Sequence, residues 1–143
     1  MYQKILVALD TSASDKALLD AVAAMAALLG AELLLVHVAD GWVARNFDHL
    51  NLVESEEMKQ DWSYLEERAA ELRASKGLTV GTRLALGSPP AQILKVADMD
   101  GCDLIALASH GHRLVGDIIH GSTIDSVRHA ARIPIFVVPA VKK

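Results

Sequence analysis

The chain has one cysteine, Cys102, among its 143 residues, so no internal disulfide can form. That suits a reducing compartment. Positive charge is not in excess: the net charge is −4 and no dense basic patch occurs, which argues against a dedicated nucleic-acid binder. No apolar run is long enough to cross a bilayer. Met1-Tyr2-Gln3-Lys4-Ile5 leads straight into a strand pattern without a signal-like apolar region, so a cytoplasmic protein with no membrane partner is expected. Two phosphate-binding signatures are missing too. Asp10-Thr11-Ser12-Ala13-Ser14 stands where GxGxxG would follow the first strand, which counts against a dinucleotide-dependent oxidoreductase. No GxxxxGK[ST] is present, so no P-loop lysine would neutralise a transferring γ-phosphate.

What is there, 52% hydrophobic and 22% charged residues, fits one soluble globular domain spanning 1–143. Ile5-Leu6-Val7-Ala8-Leu9 is a short apolar run, and Leu33-Leu34-Leu35-Val36-His37-Val38 is a second interrupted only by His37, the pattern of strands buried on both faces. Between them Leu18, Ala21, Val22, Met25, Leu28 and Leu29 keep helical spacing up to Gly30, with Ser14 the N-cap candidate. Segment 40–50 lacks periodicity and reads as a loop. From about Leu50 a long polar helix carries the stripe Met58, Trp62, Leu65, Ala69 and Leu72 and stops at Gly77. Thr79 to Leu86 is a more polar strand, hence nearer an edge. Ser88 and Pro89 suit the cap and first turn of the next helix. Residues 104–109 form the fourth strand, 122–131 the last helix and Ile133 to Val138 the fifth strand. Such alternation predicts an α/β fold: a doubly wound parallel sheet with right-handed crossovers and helices on both faces.

The densest functional signal is Ala108-Ser109-His110-Gly111, nine residues, then Gly121-Ser122-Thr123. Strand, glycine-bearing turn and a hydroxyl-rich helix start make a cradle for phosphate, because free N–H groups and the helix dipole favour an anion. Ligands of open parallel sheets lie beyond the carboxyl ends of the strands, where the strand order reverses. The expected pose puts phosphates at Gly111, Gly121 and Ser122, with the Ser122 and Thr123 hydroxyls as further donors. Adenine would lie near Val38. Asp10 would accept from a ribose hydroxyl or hold Mg²⁺; the plainer reading is that it only caps the turn into the first helix.

Other residues carry weaker signals. His110, His112, His120 and His129 lack the spacing of a structural zinc site. His37 reads as a satisfied histidine at the core or behind the site. Cys102 has no basic neighbour to activate it, and Ser109-His110 lacks the turn of a hydrolase nucleophile. Trp42 and Phe47 either shield a pocket or pack their loop down.

Taken together, Lys4 to Asp10, Leu34 to Val38, Gly87-Ser88-Pro89, Asp103-Leu104-Ile105, Ser109-His110-Gly111, Gly121-Ser122 and Ile133 to Pro139 resemble the universal stress protein family over essentially the whole chain. The resemblance implies a five-stranded sheet of order 3-2-1-4-5, adenine nucleotide alpha hydrolase-like, and a homodimer, often through the last strand. ATP-binding members carry glycine, two residues, glycine, nine residues, then glycine with serine or threonine. Gly111, Gly121 and Ser122 match this pattern, whereas Ala108 replaces the first glycine and adds a methyl where backbone should approach the ligand. The resemblance also implies Asp10 beside ribose and metal, and Val38 beside adenine.

Pairing through Ile133 to Val138 has a physical basis, since an apolar last strand would otherwise leave backbone groups unpaired. The function expected is ATP–Mg²⁺ binding by a stress-response regulator with a protein partner of unknown identity. The alternatives are a nucleotide-free dimeric interaction protein and a slow ATPase, for which His110 and Asp10 are the only local bases.

Overall fold

The computed structural model describes residues 1–39, 51–109 and 115–139, the side chains of 51–57 and 115–122 excepted. The apolar runs form strands because both their faces are covered. Along β1 (Lys4–Ala8), Ile5 and Val7 enter one core cluster and Leu6 the other, and all three are fully buried. β2 (Glu32–Ala39) behaves in the same way, with Leu33 and Leu35 on one side and Leu34 and Val36 on the other. Each such side chain contributes about 1.5–3 kcal/mol relative to exposure.

The order along the chain is β1, α1 (Ser14–Leu29), β2, α2 (Asn51–Lys76), β3 (Val80–Leu86), α3 (Pro89–Met99), β4 (Leu104–Ser109), α4 (Val115–Ala130) and β5 (Ile135–Pro139). The five strands pair in parallel in the order β3-β2-β1-β4-β5. α1 and α2 cover one face through Leu18, Val22, Ala26, Leu65 and Ala69, and α3 and α4 the other through Ile93, Val96, Ala97 and Val127. The more polar β3 is an outer strand, as its composition predicts. At the opposite edge of the strands from their carboxyl ends, Asp103 accepts from the N–H groups of Gln3 at 2.8 Å and Lys4 at 3.1 Å, tying β1 to β4.

Five expectations are corrected. Leu28 and Leu29 are exposed, at 89% and 44%; the buried stripe of α1 is Asp15, Leu18, Leu19, Val22, Ala23 and Ala26. Trp62 is likewise exposed, because Leu65, Ala69 and Leu72 define the buried line of α2 and leave Trp62 at its margin. Ser14 is not the cap but the first helical residue; the Ser12 hydroxyl accepts from its N–H at 3.2 Å. The last helix begins at Val115 instead of 122, so Gly121, Ser122 and Thr123 lie inside it. An interior glycine costs only about 1 kcal/mol relative to alanine, too little by itself to halt a helix. β5 starts after Pro134, whose carbonyl accepts from Ile105, a position where a missing N–H is harmless.

Candidate functional site

The sheet order reverses at β1, which lies between β2 and β4. Beyond the carboxyl end of β1, Leu9 remains buried and its N–H still donates to Val36 at 2.8 Å. The chain then turns sharply. Thr11 has φ 62°, a left-handed conformation that is rare for a β-branched residue. Within the turn, Asp10 Oδ1 accepts from the Ser12 N–H at 3.0 Å and the Ser12 hydroxyl at 2.6 Å. The local-turn reading of Asp10 is therefore correct as far as it goes, and the same bonds fix the direction of its carboxylate.

What holds the turn is Asp15. It is only 2% exposed, and its carboxylate accepts from the N–H groups of Asp10 at 3.1 Å and Thr11 at 2.9 Å, and from the Tyr64 hydroxyl at 2.7 Å. Burial pushes the Asp15 carboxyl up to about 6; the Tyr64 hydroxyl and the Asp10 amide oppose that rise, and the Asp10 charge adds to it. Tyr64 is pushed up as well, by burial and by its bond to Asp15. Sequence reasoning overlooked both residues. A signal existed, because Asp15 stands three and four residues before Leu18 and Leu19, on the buried line of α1.

The carbonyl of Leu9 is anchored from another direction. His37 Nδ1 lies 2.9 Å from it, and Nε2 is 3.6 Å from Asp61 on α2. A carbonyl only accepts, so Nδ1 carries the proton. His37 is thus a satisfied histidine behind the Asp10 turn, as expected.

The remaining candidates fall into three groups. Val38, half-buried, pairs with Ala85 near the carboxyl end of β2. Ala108 pairs with Val138 near the end of β4, its methyl packed against the core on the α1 side. Since Val7 faces Ala106, Leu9 and Ala108 each lie two residues further along neighbouring strands. Asp10, Val38 and Ala108 therefore gather at one edge of the sheet. Thr123 is half-buried within α4; Gly121 and Ser122 share that helix, but the amides expected to be free there lie past its first turn. Gly111, His110 and His112, with Trp42 and Phe47, lie outside the described residues.

Cys102 is buried at the other edge, and burial raises its thiol to about 11, which removes it as a nucleophile. Among the described residues no group of three His, Cys, Asp or Glu is arranged to hold a metal, and no helix is long and apolar enough to cross a membrane.

Comparison with known proteins agrees with this architecture. Residues 1–139 match the model of the universal stress protein family. The universal stress protein MJ0577 of Methanocaldococcus jannaschii is 29% identical over 154 aligned positions, covering 96% of this chain and 95% of that protein. Its solved structure superimposes with a TM-score of 0.86 at 28% identity, covering 100% and 99% of the two chains. YxiE, a universal stress protein of Bacillus subtilis, is 29% identical over 147 positions, covering 96% and 99%. A universal stress protein solved in complex with cAMP shares the fold with a TM-score of 0.72 at 20% identity, covering 96% and 97%. With a parallel sheet of order 3-2-1-4-5 and a family match from its first residue to residue 139, this chain belongs to the universal stress protein family.

Proposed function

We propose that the chain binds an adenine nucleotide, ATP with Mg²⁺, where the carboxyl ends of β1, β2 and β4 meet, and that it acts as a regulator in the stress response and not as an efficient catalyst. The observation that supports this most is the place of Asp10, at the strand where the sheet order reverses, with a carboxylate whose direction is fixed by Ser12. Family membership adds to it, and a relative of the same fold is solved with cAMP, an adenine nucleotide. In this reading Asp10 accepts from a ribose hydroxyl or joins a Mg²⁺ that arrives with the phosphates. Such an ion keeps most of its waters and needs only one or two protein carboxylates, so the donor set fits. Val38 borders adenine.

The phosphates supply concentrated negative charge. Gly111 and the first-turn amides of α4 are the groups suited to meet it, with Gly121, Ser122 and Thr123 the candidates further along that helix. Ala108 does not oppose the reading, because its methyl already packs against the core. The lack of a P-loop lysine argues for binding over turnover. β5 is an outer strand and Val137 is 41% exposed, which supports pairing with a second copy there.

The test is to extract the purified protein, identify any nucleotide carried with it, and then titrate ATP–Mg²⁺. Heat release and a raised thermal midpoint are expected; saturating ATP–Mg²⁺ that changes neither overturns the reading. Phosphate release that persists unchanged in Gly121→Asp preparations would mark a contaminating ATPase.

A further inference from the structure

We propose that Asp15 and Tyr64 are positioning residues for ribose recognition: Tyr64 fixes the Asp15 carboxylate, and Asp15 fixes the turn from which Asp10 presents its own. This rests on the nucleotide reading above and names what sets its selectivity for the sugar.

The argument starts from the turn. Thr11 at φ 62° is in a conformation that a β-branched residue keeps only where its surroundings over-determine it. Asp15 provides that constraint, because its two oxygens take the N–H groups of Asp10 and Thr11 separately, Oδ1 the first and Oδ2 the second. With both amides held, Ser12 comes within reach of Asp10 Oδ1 and orients it. Were Thr11 to relax to negative φ, that pair of bonds would be lost and Asp10 would point elsewhere.

Asp15 itself is kept in place from α2. The Tyr64 hydroxyl donates to the same Oδ2 that holds Thr11. Tyr64 is held in turn by the Arg68 guanidinium, 4.9 Å from the ring centroid, and Arg68 is paired with Glu71 at 2.8 Å. A chain of contacts thus runs from the surface of α2 to the backbone beside Asp10, and neither Asp15 nor Tyr64 is asked to touch a ligand. A buried carboxylate that serves only to tie a helix to its neighbour has no need to grip two successive amides of the turn that bears Asp10.

The experiment measures affinity for ATP, 2′-deoxy-ATP and 3′-deoxy-ATP in the wild type, Tyr64→Phe, Asp15→Asn and, as a control for general loosening, Leu72→Ala. Tyr64→Phe keeps the ring and its packing, so it reports even where Asp15→Asn fails to fold. The wild type is expected to prefer ATP over at least one deoxy analogue. Both turn variants should reduce that preference by roughly ten-fold, chiefly by weakening ATP. Leu72→Ala should leave the ratio unchanged. Faster hydrogen exchange at the Asp10 and Thr11 amides in Tyr64→Phe should accompany the loss. Retention of the wild-type preference in Tyr64→Phe and Asp15→Asn overturns the proposal, as does equal weakening towards all three nucleotides. A wild type that binds ATP without distinguishing it from either analogue overturns the proposal and spares the nucleotide reading; a wild type that binds none of them overturns both.

Discussion

His37 Nδ1 and the carbonyl oxygen of Leu9 are 2.9 Å apart, so the end of β1 is pinned by a side chain from β2 just before the Asp10 turn begins. The bond fixes the tautomer as well as the backbone. In ¹⁵N spectra, the neutral ring should show Nδ1 protonated and Nε2 bare, facing Asp61. His37→Ala leaves the Leu9 carbonyl without that donor and should lower stability by about 1–3 kcal/mol in urea titrations. A neutral ring with its proton on Nε2 and Nδ1 bare, or a variant as stable as the wild type, would contradict the arrangement.

Asp15 makes stability depend on pH in a direction opposite to the usual carboxylate. Its folded value, about 6, lies above the ordinary 3.8, so the folded state binds the proton more tightly than the unfolded chain does. This contribution is present in full below about pH 4 and is lost as pH rises through about 6. Measured against Asp15→Asn, the wild type should lose about 3 kcal/mol of relative stability between those limits. Parallel stability curves for the two proteins would show that Asp15 does not titrate in this way.

Cys102 should be inert in the folded protein. With its thiol raised to about 11 by burial, roughly a thousandth is ionised at pH 8, and access is blocked as well. Alkylation by iodoacetamide should therefore follow unfolding, complete in denaturant and negligible without it. Labelling of the native protein at the rate of a free thiol would contradict its placement.

Much of the fold was legible because strand ends and apolar runs carry it. Ile5 to Leu9 and Leu33 to Val38 could be buried on both faces only in the middle of a parallel sheet, and β3 revealed itself as an edge by its polarity. The positions of Asp10, Val38 and Ala108 at the carboxyl ends of the strands were legible to the same depth, because they follow from where β1, β2 and β4 stop. Partnered polar groups were not legible. Asp15 is invisible to a buried line drawn through apolar residues alone, although an aspartate with three donors can share that line. The start of α4 is not legible from Gly121, because a single interior glycine does not end a helix and α4 runs through it from Val115. Leu28 and Trp62 show the converse: a large apolar residue near a stripe is not bound to be inside it.

The central claim is that the Asp10 turn forms one wall of an adenine-nucleotide site, and equilibrium titration of ATP–Mg²⁺ into the wild type and Asp10→Ala tests it most directly. Saturable binding to the wild type, weakened about 10- to 100-fold in a folded Asp10→Ala, is the predicted result, the loss expected for a hydrogen bond to a charged group. Equal affinity in the two proteins would contradict the account.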